Sequence, residues 1–384
     1  MSKLSLEHQT FIKEWAQHLP GTTIFKRQAM NLKELYLDTE TFITDGPSGP
    51  DGPDGSVKGF YTDRKYICYG CNSPMKWTHS VYLFSCETCG NLFQENRHLS
   101  RDMTGQVAFV VGGRSKLGHQ IVVKLLKSGA TVVLSSRRPD DALELFKSYL
   151  SSDHLSRLFV YPKSLDLDIK DIESDLKLVR DYIKNEFGSL DILILNAAQT
   201  IRSREKKVEV VPNVVPNVVP KELNRYKDDK FADSTQKNSW TLELQDLCQD
   251  EMEEIMRVNT IAPCLMIKVM VPLLSKSKEP YVINVHAREG LLNVGKSRFH
   301  IHTNLGKAGL HMITKCMASD RQTHISFHGC DPGWISVDEY YETSKPWICT
   351  PLDEVYGAAR ILYPIFKQLK SHGKTRRHFE QLTY

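Results

Sequence analysis

Four cysteines stand in two matched pairs, Cys68 and Cys71 in C-Y-G-C and Cys86 and Cys89 in C-E-T-C. Each short loop can turn two thiolates onto one metal, and two such loops complete a closed tetrahedral zinc site. A closed four-sulfur shell leaves no coordination position for substrate, so its chemistry is structural. A segment this short buries too little apolar surface to fold by itself, and a metal replaces the missing core. Recruitment of a protein or a nucleic acid is the other use of such a module. A redox reading of C-x-x-C is weaker because the pairs come as a set, and His79 could compete as a ligand but is not needed.

A second chemistry is written in V-V-G-G-R-S-K-L-G-H-Q, Val110 to Gln120. Gly112 permits a tight turn from strand to helix, Gly118 lets that helix pack closely, and backbone amides at the helix start can bind a pyrophosphate. A few glycines alone are weak, but an apolar strand precedes them and an apolar helix follows. At the end of the next strand stand Ser135, Ser136, Arg137 and Arg138. The position lacks an acid for ribose hydroxyls and offers two guanidinium groups, which suits the phosphate of NADP better than NAD. Arg114 in the glycine loop points the same way, although arginines also simply solvate loops.

The elements that would position these groups divide the chain. Residues 1–44 hold two short amphipathic stretches, Leu4–His18 and Lys26–Leu37. A linker follows at 45–57, with D-G-P-S-G-P-D-G-P-D-G at its heart. The cysteine module occupies 58–102, with Val81, Tyr82, Leu83 and Phe84 expected as a hairpin strand. From 103 to 384, strands at Val107–Val111, Thr131–Leu134, Leu158–Tyr161, Ile192–Leu195, Tyr281–Val285 and Ile325–Cys330 alternate with helices. Those helices are expected from the glycine turn through Ser128, at Asp141–Leu150, Asp171–Phe187, Leu247–Leu274 and Asn304–Ser319, and from near Asp353. Alternation of this kind implies an α/β, Rossmann-type, doubly wound parallel sheet behind a small zinc-ribbon-like module. An inserted loop at about 199–240 carries V-V-P-N-V-V-P-N-V-V-P, with proline too frequent for a helix or a central strand. It reads as a surface loop, or alternatively as a docking segment or a lid near the cofactor.

From about Gly105 to the C-terminus the chain resembles the short-chain dehydrogenase/reductase family. The family's T-G-x-x-x-G-x-G aligns with Val111 through Gly118, keeping Gly112 and Gly118 but placing Lys116 at the middle glycine. A lysine there would crowd the pyrophosphate or pair with it. The family's N-N-A-G matches Leu195, Asn196, Ala197 and Ala198, its adenine-contacting acid matches Asp166, and its P-G beside the nicotinamide matches Pro332 and Gly333. The resemblance implies further that Tyr340, Tyr341 and Trp347 lie in the substrate-covering segment.

In that family a tyrosine transfers the proton, a lysine four residues later holds the ribose, a serine positions the substrate oxygen and an asparagine supports a water relay. Lys307 and Asn259 match the lysine and the asparagine, whereas Thr303 stands at the tyrosine and Ala287 at the serine. A phenol with pKa ~10 can be tuned toward neutrality, but an aliphatic hydroxyl cannot. Alanine offers no hydrogen bond to a developing oxyanion. His286 and His302 flank the vacated positions, but adjacency in sequence does not aim a ring into the site, so neither is expected to act as the acid. The strings G-G-R-S-K-L-G-H-Q, N-A-A-Q-T, H-T-N-L-G-K-A and P-L-D-E-V-Y-G-A-A-R resemble an atypical branch that combines the cysteine pairs with threonine at the tyrosine position.

The expected function is therefore an NADP-binding, or NAD-binding, scaffold with a degenerate centre, a pseudo-oxidoreductase carrying a zinc module. The alternatives are an active oxidoreductase of carbonyl or alcohol substrates with a non-standard proton donor, and a zinc-ribbon-led nucleic-acid-associated protein. A net charge of +4 over 384 residues argues against the last. No apolar run is expected to reach the ~20 residues that span a bilayer, and the first residues lack a signal-peptide core. The scattered cysteines read as buried, reduced thiols, which places the protein in the cytoplasm or nucleus. A dinucleotide is the expected partner, and a protein could dock on the zinc module or the insertion. The resemblance also implies oligomers formed through the helices bearing Asn259 and Lys307.

Overall fold

The computed structural model describes residues 61–79, 81–82, 84–199, 239, 242–319, 323–335, 351–370, 374–377 and 379–381. The stretches Leu4–His18 and Lys26–Leu37, the linker, nearly all of the insertion, and Tyr340, Tyr341 and Trp347 lie outside the described residues.

In chain order the elements are β1 (Tyr61–Ile67), β2 (Pro74–Trp77), α1 (Glu87–Arg97), β3 (Val107–Val111), α2 (Lys116–Lys127), β4 (Thr131–Ser135) and α3 (Pro139–Lys147). They continue with α4 (Ser152–Ser156), β5 (Leu158–Val160), α5 (Ile172–Phe187), β6 (Ile192–Leu195), α6 (Gln249–Met256), a π turn (Arg257–Ile261) and α7 (Ala262–Leu274). The last are β7 (Tyr281–Val285), α8 (Ile301–Ala318), β8 (Ser326–Cys330), α9 (Glu354–Phe366), β9 (Lys374–Arg377) and β10 (Glu380–Gln381). Two compact units share them: the described residues of Met1–Leu99 and Pro332–Tyr363 form one, and those of Ser100–Asp331 and Pro364–Tyr384 the other.

The second unit is a Rossmann-type α/β fold. Its sheet runs β10-β9-β8-β7-β6-β3-β4-β5. Each neighbouring pair from β5 to β9 is parallel, and β10 closes the edge antiparallel. All four residues of β6 and all five of β7 are buried, as strands covered on both faces must be. On one face Phe109, Val133, Leu193, Val282 and Phe327 pack with Leu176, Val179 and Ile183 of α5 and Met266, Met270 and Leu273 of α7. Each such side chain contributes about 1.5–3 kcal/mol by leaving water. The strand order reverses between β3 and β6, so a crevice opens at the carboxyl end of β3, where Gly112 lies.

Three expectations about this unit need correction. The long helix over 247–274 is broken by the π turn: Pro263 has no N–H to give to the carbonyl of Asn259, four residues back, so the α-helical ladder cannot close there. Gln249–Leu274 is also long and apolar enough to cross a membrane by length and composition, contrary to the sequence expectation, yet Met266, Ile267, Met270 and Leu273 lie in the core of this unit. Among the scattered cysteines described, Cys330 is buried, but Cys248, Cys264 and Cys316 are exposed.

In the first unit, β1 and β2 pair antiparallel around the first cysteine loop. Val81, Tyr82 and Phe84 do not form the expected strand; the chain bends there and Cys86 caps α1. The bend is held by His79, whose Nδ1 accepts from the amides of Val81 and Tyr82 at 3.0 and 3.1 Å. Tyr82, Phe93 and Tyr356 pack with ring centroids 4.9 to 5.5 Å apart. Beside them Arg97 makes a two-pronged ion pair with Asp353, both bonds 2.7 Å, with both side chains buried.

Candidate functional site

The crevice begins at Gly112, whose φ of +78° favours glycine and whose missing side chain is required by Ala197: a Cβ would lie 2.9 Å from that residue's Cβ. A Cβ on Gly118 would fall 2.0 Å from the Gly112 carbonyl, so α2 can start this close to β3 only with glycine there. Asn196 donates from Nδ2 to the Gly112 carbonyl at 2.9 Å, and the Ala197 amide donates to Val111 O at 2.9 Å. These two bonds stitch the end of β6 to the turn. Lys116 opens α2 at φ +49°, the left-handed conformation that a glycine adopts at no cost. The first-turn amides of α2, which have no partners within their own helix, follow directly.

On the adjacent edge, Ser136 is buried and accepts from the Arg138 amide at 3.0 Å. Arg137 is exposed, and its carbonyl accepts from Ser164 Oγ at 2.8 Å. The Arg138 guanidinium lies 3.7 Å from Asp141. Asp166 accepts the Asp168 amide at 3.1 Å, and Asp168 in turn pairs with Arg257 of the π turn at 2.7 Å. Arg114 stands in the loop before α2, and its carbonyl meets the buried His119 ring at 3.3 Å.

Asn259 is buried in the π turn, and its carboxamide spans the backbone of Gln199: Oδ1 accepts the Gln199 amide at 2.8 Å and Nδ2 donates to its carbonyl at 2.6 Å. Helix α8 reaches this turn through two glycines. A Cβ on Gly306 would lie 3.0 Å from Asn259 Cβ, and one on Gly309 would lie 2.6 Å from Thr260 Cγ2. Thr260 also donates to Gly306 O at 3.0 Å.

On α8, Lys307 is buried and donates to Val285 O at 3.0 Å, at the end of β7 and two residues before Ala287. Burial pushes its pKa down to about 8, opposed by the carboxylates of Glu289 and Asp331. Thr303, one turn earlier on the same face, is 2 % exposed, and its Oγ1 has no hydrogen-bond partner among the described residues. Ala287 leads in extended conformation into the Arg288–Gly290 turn. His286 is turned into the core: its Nε2 meets Thr314 Oγ1 at 3.0 Å, and its ring lies 3.7 Å from that of His311. Burial holds the His286 pKa well below the ordinary histidine range. His302 is fully buried.

The structure thus brings Gly112, Gly118, Asn196 and Ala197 together, and joins Asn259 to the end of β6. Pro332 and Gly333 belong to the first unit, where Gly333 has φ +81° and Arg360 donates to Pro332 O at 3.0 Å. Sequence reasoning missed Gln199, Asp168, Arg257, Gly306 and Gly309. The G-K-A-G spacing, two small residues three apart on α8, was the available sign of a close approach.

In the first unit the sulfurs of Cys68, Cys71, Cys86 and Cys89 all lie within 4.8 Å of one another. Cys71 and Cys86 Sγ are 3.9 Å apart, and the Cys86 amide donates to Cys68 Sγ at 3.2 Å. Four sulfurs bound ~2.3 Å from one zinc stand roughly 3.8 Å apart, so the donor set fits that ion.

Comparison with known proteins agrees with this geometry. Residues 106–214 match the family profile described as short chain dehydrogenase. An uncharacterised protein of Acanthamoeba polyphaga mimivirus is 36% identical over 344 residues, which cover 80% of this chain and 73% of that protein. Salutaridine reductase of Papaver bracteatum is 25% identical over 67% of this chain and 76% of its own length. Among solved structures, a Serratia marcescens short-chain dehydrogenase/reductase superposes with a TM-score of 0.52 at 17% identity, covering 72% of this chain and 96% of that one. The chain thus resembles the short-chain dehydrogenase/reductase family, whose profile matches residues 106–214.

Proposed function

We propose that the second unit binds a dinucleotide, NADP in preference to NAD, and does not carry out the tyrosine-dependent proton transfer of its relatives. The single observation that carries this reading is the buried pair on α8: Lys307 is kept, while Thr303 offers only an aliphatic hydroxyl one turn away. The glycine cradle at Gly112 and Gly118, with the free amides of α2 beyond it, supports pyrophosphate binding. Ser136, Arg137 and Arg114 would receive the ribose phosphate, Asp166 the adenine edge, and Lys307 the nicotinamide ribose. Lys116 would stand against the pyrophosphate. Bound NADPH would supply a hydride, but the chain offers the substrate oxygen no phenol at Thr303 and no hydroxyl at Ala287. Loss of both should lower turnover by several powers of ten. The four cysteines of the first unit would hold zinc.

Titration with NADPH and NADH, followed by a screen of carbonyl compounds for cofactor oxidation, tests this reading. Binding of NADPH without turnover is expected, and the paired change Thr303→Tyr with Ala287→Ser should restore measurable reduction. Turnover by the unaltered protein would instead favour an active oxidoreductase, a reading to which the retained Lys307 and Asn259 lend support. Failure to bind either dinucleotide would defeat both. Metal analysis should find about one zinc per chain, lost in Cys86→Ser.

A further inference from the structure

We infer that the four-cysteine metal site clamps the Pro332–Trp334 turn and the start of α9, with Tyr69 and α1 as its two arms. This rests on the reading that the four thiolates bind a metal. Both cysteine loops send side chains into the later segment of the same unit. Tyr69 lies between the ligands of the first loop, and its phenolic oxygen accepts the Trp334 amide at 2.8 Å. That oxygen would also lie 3.2 Å from a Cβ on Gly333, which faces Leu352 and Arg360 as well. The second loop continues into α1, where Cys86 is the cap and Cys89 sits in the first turn. From α1, Phe93 reaches the Tyr356 ring at 4.9 Å, and Arg97 holds both oxygens of Asp353. Asp353 Oδ1 also accepts the Tyr356 amide at 2.9 Å and so caps α9.

What keeps the two arms in register is the contact between the loops. Tyr69 N donates to Phe84 O at 2.7 Å, and Cys86 N donates to Cys68 Sγ at 3.2 Å. Within the first loop, Cys68 N donates to Ser73 O and Asn72 N to Cys68 O, both at 2.9 Å. A metal bonded to all four sulfurs adds the strong link between the loops. Without it, the loops rest on hydrogen bonds such as those from Tyr69 N to Phe84 O and from Cys86 N to Cys68 Sγ. Metal release should then separate the arms, which frees the Trp334 amide through Tyr69 and the Tyr356 amide through Arg97 and Asp353. Tyr69 is a positioning residue here: it binds no metal and acts through the turn it holds.

Hydrogen exchange on the full chain, read together with metal content, tests the clamp. In the zinc-loaded protein the Trp334 and Tyr356 amides should be protected. Removing zinc with a chelator, or through Cys71→Ser at the exposed ligand, should speed exchange at both at least tenfold, while the β7 amides Val282 to Val285 keep their protection. Tyr69→Phe should retain its zinc and lose protection at Trp334 alone. If metal leaves and both amides stay protected, the clamp is wrong while the metal reading stands. If Tyr69→Phe leaves Trp334 protected, the first arm is wrong. If added zinc never binds, the metal reading and the clamp fall together.

Discussion

Lys116 shows how a single residue carries a mark of its ancestry in its backbone. It holds φ at +49° where the family motif has glycine. An L-residue in that conformation costs roughly 1–2 kcal/mol relative to the right-handed region. Lys116→Gly should therefore stabilise the protein by about 1 kcal/mol in urea unfolding, and an unchanged or lower midpoint would contradict the strain. Lys307 makes a prediction of a different kind. Its folded pKa is lowered to about 8 from 10.5, so between those values the unfolded chain binds the extra proton. Stability from this group is then absent below pH 8 and accumulates as pH rises toward 10.5, by on the order of 3 kcal/mol in full. Comparing melting temperatures of the natural protein and Lys307→Met from pH 7 to 10 isolates it: the difference between them should change with pH in that window and be flat below it. Residues of this kind are legible in sequence because the chemistry is local. Gly112 and Gly118 answer to a turn, and the paired cysteines to a cluster of four sulfurs. The Asp168–Arg257 pair, 89 residues apart, had no local sign, because only the packed fold brings the two together.

The element that repays attention at the next scale is the broken helix. Its π turn, set up by Pro263, carries Asn259, and α8 approaches it closely because Gly306 and Gly309 have no side chains. Gly309→Ala gains helix propensity of up to about 1 kcal/mol, but its methyl group would lie 2.6 Å from Thr260, whose branched side chain cannot retreat without losing its bond to Gly306 O. A net loss of about 1–2 kcal/mol is expected, with chemical-shift changes at Asn259 and Gln199. A more stable variant would mean that the two helices have room to separate. Strands β3 and β6 were readable from their unbroken apolar runs, which parallel strands covered on both faces require. The Val81–Phe84 run misled for the same reason: it is apolar because Tyr82 is buried against Phe93 and Tyr356, yet the His79 side chain takes the amides a strand would need. Strands β9 and β10 are short and rich in charge, so periodicity had nothing to register. The π turn was foreseeable in principle from Pro263, but the stretch from Gln249 to Leu274 reads as one helix.

At the scale of the whole molecule, the first unit is assembled from two stretches far apart in the chain. The buried Arg97–Asp353 ion pair joins them. Asp353→Asn keeps the shape but leaves the guanidinium without its counter-charge in a buried place, at a cost of about 3–5 kcal/mol. Loss of the cooperative melting of this unit ahead of the sheet would be the signature, and a single unchanged transition would show the pair to be expendable. The distance between the partners matters before the protein is complete. They are 256 residues apart, so at roughly 5–20 residues per second a ribosome delivers the carboxylate on the order of 10–50 s after the guanidinium. Through that interval the nascent thiols wait beside an unneutralised arginine and an aromatic surface that has nothing yet to cover it. A ribosome that stalls before Asp353 would release a chain that holds most of the parallel sheet and an unfinished cysteine-rich appendage, a natural client for chaperones and proteases.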